Sequence, residues 1–131
     1  VWFDKKGLID STPTTEADIV RQGQEAYKRV LATIPILLVE VEKQLRRNNP
    51  LDAIDGYLKL IPRLAVLLNL KYRPAQYDFG IRYAYRAYPA EVNCWLQDLM
   101  FIKDQADLEQ KFLILKDKIN YYIAELHGKW S

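Results

Sequence analysis

The sequence predicts an all-α fold, an up-and-down bundle of about five helices, two of which are kinked by internal prolines. After residue 15, apolar residues recur at three- and four-residue spacing, which is the period of an α-helix with one buried face. Short segments rich in proline or polar residues separate these stretches and contain signals that end one helix and begin the next. Half of the 131 residues are hydrophobic and 27% are charged, an ordinary balance for a globular domain.

Residues 1–14 differ from this pattern and predict a short β-hairpin-like edge segment. Val1-Trp2-Phe3 is typical of a strand, Gly7 favours a turn, and Leu8-Ile9 follows as a second extended piece. Two strands alone do not make a stable sheet. We therefore interpret residues 1–14 as the end strand and linker of an upstream domain, and residues 15–131 as the helical bundle domain. The chain begins with Val1, and we expect further residues to precede it in the natural protein.

The first helix is expected to begin near Thr15, because Asp18 three residues later makes a loose capping pattern. Its apolar positions extend to Leu45. Pro35 lies inside this stretch and predicts either a kink near Leu31 or a division into two helices. An alternative interpretation takes residues 36–42 as a strand, since apolar and acidic residues alternate there.

Four further helices follow at short intervals. Asn49-Pro50 is a strong helix start, and the second helix is expected to continue, with a kink at Pro62, as far as Tyr72. A tyrosine-rich third helix is predicted from about Ala75 to Ala87. Pro89 begins the fourth helix, whose inward positions are Val92, Trp95, Leu96, Leu99 and Met100. The apolar spacing from Leu108 to Leu126 predicts the last helix, with Gly128 at its end.

Composition excludes several classes of protein. Nineteen basic and seventeen acidic residues give a net charge of +2, with both signs spread along the chain, which argues against a nucleic-acid partner. Cys94 is the only cysteine and His127 is the only histidine, so neither an internal disulfide nor a His/Cys metal site is expected. We interpret Cys94 as a small core residue and His127 as a favourable charge at a helix end. The single cysteine fits a reducing, cytoplasmic location, and no apolar run approaches the roughly twenty residues of a membrane span.

No sequence pattern indicates catalysis by this chain. Nucleotide transfer needs carboxylates that converge on magnesium, commonly an Asp-x-Asp pair on a strand, and no such pair occurs. Glu40 and Glu42 lie in a predicted helix, where side chains two residues apart diverge. Phosphate-binding glycine loops, nucleophile elbows and zinc-protease patterns are also missing from the sequence. We therefore predict no catalytic residue, no metal ligand and no cofactor within this chain.

The richest polar and aromatic stretch runs from Asn69 to Tyr77 and continues with arginines and tyrosines to Tyr88. Cations among tyrosines are able to stack on a base or sugar and to hold a phosphate. The alternative is structural: tyrosine rings pack inward while arginines stay hydrated at the surface.

The order of strand, turn and helix signals along this sequence resembles that in the DNA polymerase beta-like nucleotidyltransferases, in particular the small-substrate and antibiotic-modifying type. Phe3-Asp4-Lys5-Lys6-Gly7 is similar to the strand and turn that close their catalytic sheet. The segment from Leu67 to Pro74 and the later Pro89-Ala90-Glu91-Val92 resemble a leucine-rich helix, its Asn-x-x-Tyr-x-Pro exit and a "Pro-x-x-Val" start in their helical domain. The family often has a Lys-Trp pair after that exit, and Gln76-Tyr77 stands here instead, so the role of that lysine is not carried over.

The resemblance implies a supporting role for this chain. It would pack on an upstream catalytic domain of the same protein and form one wall of the cleft that binds a small-molecule acceptor. It would also pair with a second subunit as a homodimer. Magnesium and ATP or another nucleotide would serve the upstream domain, whose Asp-x-Asp strand should follow a Gly-Ser-like turn. With the tyrosine-rich stretch included, the predicted substrate-binding residues are Asp4, Lys71, Tyr72, Arg73, Tyr77 and Arg82.

Two alternative functions remain open. The first is a helical protein–protein interaction module that uses the tyrosine-rich stretch as its contact surface. The second is a non-catalytic nucleotide-binding helical bundle of the kind that partners such transferases. The RNase form of that bundle relies on an arginine four to six residues before a histidine, and no arginine lies near His127. Binding of ATP would favour a transferase domain over a plain interaction module.

Overall fold

The computed structural model describes residues 15–130, and these form five α-helices and no strand. The predicted β-hairpin-like edge segment at residues 1–14 lies outside the described residues. The all-α prediction is confirmed, and the alternative strand at residues 36–42 is wrong, since that stretch is helical. The elements in chain order are α1 (Glu16–Arg46), α2 (Pro50–Tyr72), a 3-10 turn (Pro74–Gln76), α3 (Ala84–Ala87), α4 (Ala90–Met100) and α5 (Gln105–Trp130).

Helix α1 begins as the sequence predicts and continues undivided past its proline. The Oγ1 of Thr15 accepts a hydrogen bond from the backbone N–H of Asp18 at 3.1 Å, which satisfies one free donor of the first turn. Pro35 lies inside the 31-residue helix, which is about 46 Å long at the usual rise per residue. The interpretation of this stretch as two helices is therefore wrong.

Helix α2 is the centre of the bundle, and eleven of its residues are buried. It packs against both α1 and α5. Gly56 allows the closest approach to α1, because a Cβ atom at that position would lie 2.8 Å from the Cγ2 of buried Val41. Pro50 occupies the first turn as predicted, but the side chain of Asn49 does not cap the helix and instead donates to Gln44 at 3.0 Å.

The predicted third helix is the main difference between sequence and structure. Residues 77–83 form turns, and regular helix resumes only in the single turn of α3. Gly80 and Tyr83 both have φ of 63°, in the left-handed region that interrupts a right-handed helix. We call residues 74–83 the connecting loop.

Buried tyrosines join the last two helices to the rest of the bundle. The Tyr57 hydroxyl of α2 donates to the carbonyl of Leu99 in α4, and the Tyr27 hydroxyl of α1 donates to the carbonyl of Ile123 in α5 at 2.9 Å. Burial raises the pKa of both phenols above the ordinary tyrosine value. These long-range bonds fix α4 and α5 relative to the α1–α2 pair.

Three predictions about the last two helices are corrected. Cys94 is exposed and not a core residue, because the buried side of α4 is formed by Val92, Leu96 and Leu99. Met100, predicted to point inward, is 37% exposed. Gly128 does not end α5, which continues to the fully buried Trp130. Among residues 15–130, no helix combines the length and apolar character that crossing a membrane requires.

Candidate functional site

The connecting loop, which contains most of the predicted substrate-binding stretch, is held against α2 by Asn69. This fully buried side chain donates from Nδ2 to the carbonyls of Tyr77 and Gly80, at 3.2 and 3.0 Å. Its Oδ1 accepts from the Nε of Arg73 at 2.6 Å and from the Tyr88 hydroxyl. We call Asn69, Arg73 and Tyr88 the Asn69 network. It connects the end of α2, the loop and the start of α4.

Arg73, predicted to bind substrate, lies inside this network and is only 9% exposed. Its Nη2 donates to the carbonyl of Gly80 at 2.9 Å. The guanidinium lies 5.6 Å from the ring centroid of Phe79 and 5.1 Å from that of Tyr88. Stacking between rings and bonding to neutral acceptors compensates for removing this charge from water. The contacts of Arg73 in this structure are therefore to the protein itself.

Lys71 and Tyr72 lie where α2 faces α5, and the Tyr72 ring also packs on Tyr88 of the Asn69 network, with 5.7 Å between the ring centroids. The Nζ of Lys71 forms an ion pair with Glu125, and the Tyr72 hydroxyl lies 3.0 Å from the Tyr122 hydroxyl. Burial is the main cause of the raised pKa of Tyr122, and its hydrogen bond with Tyr72 adds to it. Both predicted residues thus take part in packing α2 against α5.

The ion pair between Lys71 and Glu125 predicts a loss of stability at high pH. The hydrogen bond to Glu125 raises the pKa of Lys71 above its ordinary value of 10.5. The folded state therefore holds this proton more tightly than the unfolded state. The resulting stabilisation is complete below the unfolded value and is lost as pH rises through the raised pKa.

This effect is measurable as the difference in unfolding free energy between the wild type and Lys71→Gln. We expect the difference to be present at neutral pH and to disappear above the lysine range. The matching substitution at exposed Lys28 of α1 serves as the control. A difference that persists unchanged to the highest pH would contradict the ion pair.

The other two described residues of the prediction, Tyr77 and Arg82, lie in the connecting loop. Tyr77 is half-buried and faces the cleft between α1 and α2, whereas Arg82 is exposed and lies 5.0 Å from the Phe79 ring centroid. Asp4 lies outside the described residues. Arg73 and Arg82 thus contact the same Phe79 ring, whereas Lys71 pairs with Glu125 and Tyr77 lines the cleft between α1 and α2.

A polar cleft of about 380 Å³ lies between α1 and α2, with one end closed by the connecting loop. Its polar residues come from all three elements, and Arg29, Thr33 and Arg63 were not predicted as site residues. An apolar wall of Ala26, Val30 and Val66 lies behind them. We call this the polar cleft; its polar lining consists of Arg29, Thr33, Arg63, Tyr77 and Asp78.

An apolar groove of about 320 Å³ lies along α2 and is closed by Gly80 and Ile81 of the same loop. Leu58 is 51% exposed there, and Ile81 and Met100 are also exposed to solvent. Such a concave apolar surface is typical of a place where another protein element packs. We call it the apolar groove; its lining consists of Leu58, Ile61, Pro62, Ala65, Gly80, Ile81 and Met100.

The connecting loop therefore contributes to both sites, with Tyr77 and Asp78 in the polar cleft and Gly80 and Ile81 in the apolar groove. The Asn69 network binds the carbonyls of Tyr77 and Gly80. Changes in this network are expected to disturb both surfaces together.

Within residues 15–130, no group of three or more His, Cys, Asp and Glu side chains is arranged to hold a metal ion. His127 lies in the last turn of α5, where a positive charge is favoured. Comparison of the chain with protein-family models, with curated proteins and with solved structures finds no match.

Proposed function

We propose that this chain is the helical substrate-side domain of a nucleotidyltransferase, which transfers a nucleotide from a triphosphate to a small acceptor. In this proposal the catalytic carboxylates, magnesium and the nucleotide belong to a domain upstream in the same protein. The helical domain packs on that domain and forms one wall of the acceptor cleft.

The apolar groove is the observation that supports this proposal. Its lining is almost entirely apolar, and its exposed members come from α2, the loop and the end of α4. Packing a second domain there would remove the exposed parts of Leu58, Ile81 and Met100 from water, which favours association. The polar cleft lies beyond the same loop, as expected of a substrate-side domain in which docking and binding surfaces are neighbours.

A second surface supports the alternative of an interaction module or homodimer. Ala32, Pro35, Ile36 and Val39 are all exposed and follow helical spacing on the outer side of α1. A helix that exposes such a stripe is typical of helix-to-helix association. This alternative places the main contact on α1 instead of α2.

Matched charge substitutions in the natural protein that contains this chain separate the two proposals. We expect Leu58→Glu to disrupt the interface with the catalytic domain, so that the two domains unfold in separate transitions and nucleotide transfer falls. Ile36→Glu introduces the same charge on α1 and should leave both properties unchanged. Both side chains are more than half exposed in this chain, so circular dichroism of the isolated domain is expected to be unaltered. A defect caused by Ile36→Glu alone, with loss of self-association, would favour the interaction module and contradict the transferase proposal.

A further inference from the structure

Two arginines that line the polar cleft, Arg29 and Arg63, form no ion pair with another described residue. Six other described cations, Arg21, Lys43, Arg46, Lys59, Lys71 and Lys111, each form an ion pair with a carboxylate. Arg29 of α1 and Arg63 of α2 both belong to the lining of this one cleft. The cleft thus contains two positive charges that form no ion pair within the described part of the chain.

Arg63 is also held in a defined position. Its Nε donates to the Oγ1 of Thr33 at 2.8 Å, and its Nη1 donates to the carbonyl of Lys59 at 2.7 Å. The Thr33 hydroxyl is in turn oriented by the backbone carbonyls of Arg29 and Val30, each of which lies 3.3 Å from its Oγ1. These bonds leave Nη2 of Arg63 without a hydrogen-bond partner among residues 15–130. A fixed guanidinium with a free donor is a preorganised anion site.

The connecting loop contributes two residues to the cleft, the acidic Asp78 and the neutral Tyr77. Tyr77 and Asp78 line the cleft, and neither side chain has a hydrogen bond or ion pair with another described residue. A carboxylate in this position would repel a ligand that is only anionic. A ligand that also carries an amine or hydroxyl donor would instead satisfy Asp78.

We propose that the polar cleft binds a small phosphomonoester with an amine or hydroxyl close to its phosphate. The phosphate contacts Arg63 and Arg29, the donor group faces Asp78 and Tyr77, and the carbon atoms between them lie on the apolar wall of Ala26, Val30 and Val66. This site involves only residues of α1, α2 and the loop. It does not depend on the proposed docking of α2 to a catalytic domain.

Titration calorimetry of the full chain with inorganic phosphate and with O-phosphoethanolamine tests this proposal. We expect O-phosphoethanolamine to bind saturably and more tightly than inorganic phosphate. Arg63→Gln should weaken its binding by about tenfold or more, as expected for loss of a charge-assisted contact. Arg21→Gln removes the same charge at the exposed start of α1 and is the matched control, with no expected effect.

Two more variants test the proposal. One avoids any dependence on the folding of Arg63→Gln, and the other tests whether Asp78 binds the amine of the ligand. Arg29 is exposed and its side chain has no partner among the described residues, so Arg29→Gln should fold normally and still weaken phosphoethanolamine binding. Asp78→Asn should lower the affinity for phosphoethanolamine to that for inorganic phosphate. The proposal would be overturned by absence of saturable binding, by equal weakening in Arg21→Gln and Arg63→Gln, or by tighter phosphoethanolamine binding in Asp78→Asn.

Discussion

Replacing Asn69 by leucine is expected to lower the free energy of unfolding by about 4 kcal/mol or more. The leucine would leave the Nε of Arg73, the hydroxyl of Tyr88 and the carbonyl of Tyr77 without the partners they have in the Asn69 network. Each buried polar group that loses its partner costs about 1–3 kcal/mol, and a charged group costs more. Burial already raises the pKa of Tyr88, so this hydroxyl has little access to water in place of Asn69.

Urea unfolding followed by circular dichroism measures this loss, and Asn120→Leu is the matched control. Asn120 is exposed in the middle of α5, so the same substitution there should change stability by no more than about 0.5 kcal/mol. Asn69→Asp keeps an acceptor for Arg73 but removes the donor to the loop, and is expected to be milder than Asn69→Leu. Equal stability of the Asn69→Leu and Asn120→Leu variants would show that the network does not hold the loop.

Trp130 is expected to show the second largest effect, although it lies close to the end of the chain. Its side chain is fully buried, and a Cβ atom on Gly23 would lie only 2.2 Å from its Cζ3 atom. Trp130→Ala removes this packing between α5 and the start of α1. The expected loss is about 3–5 kcal/mol, as for other large aromatic residues deleted from a core.

The N–H group of the Trp130 indole leads to a second, more specific prediction. The Nε1 of Trp130 is buried without a hydrogen-bond partner among the described residues. Trp130→Phe removes that donor while it keeps most of the ring contact, and should therefore be clearly milder than Trp130→Ala. Thermal unfolding of both variants is the measurement, with Tyr85→Ala as the control, because Tyr85 is 75% exposed. A Trp130→Ala variant as stable as Tyr85→Ala would contradict the packing of Trp130 on Gly23.

The helices that were predicted well are those whose signals are local. Thr15 caps α1, Pro50 begins α2, and the apolar spacing from Leu108 to Leu126 marks the buried side of α5. These features depend on residues within one or two turns of each other. The sequence is therefore sufficient to identify them.

The connecting loop was predicted as helix because its aromatic residues suggested a continuous apolar stretch. The contrary signals were Pro74 and the Asp78-Phe79-Gly80 sequence, which has the composition of a turn. The conformation also depends on Asn69, which holds loop carbonyls 8 and 11 residues away along the chain. Cys94 and Gly128 were misjudged for a similar reason, since the contacts of α4 and of Trp130 are with distant segments.

The sequence indicated some of the residues that line the polar cleft and left out others. The stretch from Asn69 to Tyr88 was singled out from the sequence, and its side chains contribute to the Asn69 network, the α2–α5 contact and the polar cleft. Arg29 and Arg63 were missed because they are 34 positions apart, and only the register of α1 against α2 places both of them at one cleft. That register depends on tertiary contacts such as Gly56 against Val41.

Nucleotide binding by the natural protein that contains this chain tests the central proposal most directly. The measurement is calorimetric titration of the natural protein, and of the isolated 131-residue chain, with each ribonucleoside triphosphate in the presence of magnesium. The transferase proposal predicts saturable binding of a nucleotide to the natural protein and none to the isolated chain, which lacks an Asp-x-Asp pair. Failure of the natural protein to bind any of the triphosphates would contradict it and would leave the interaction module as the better account.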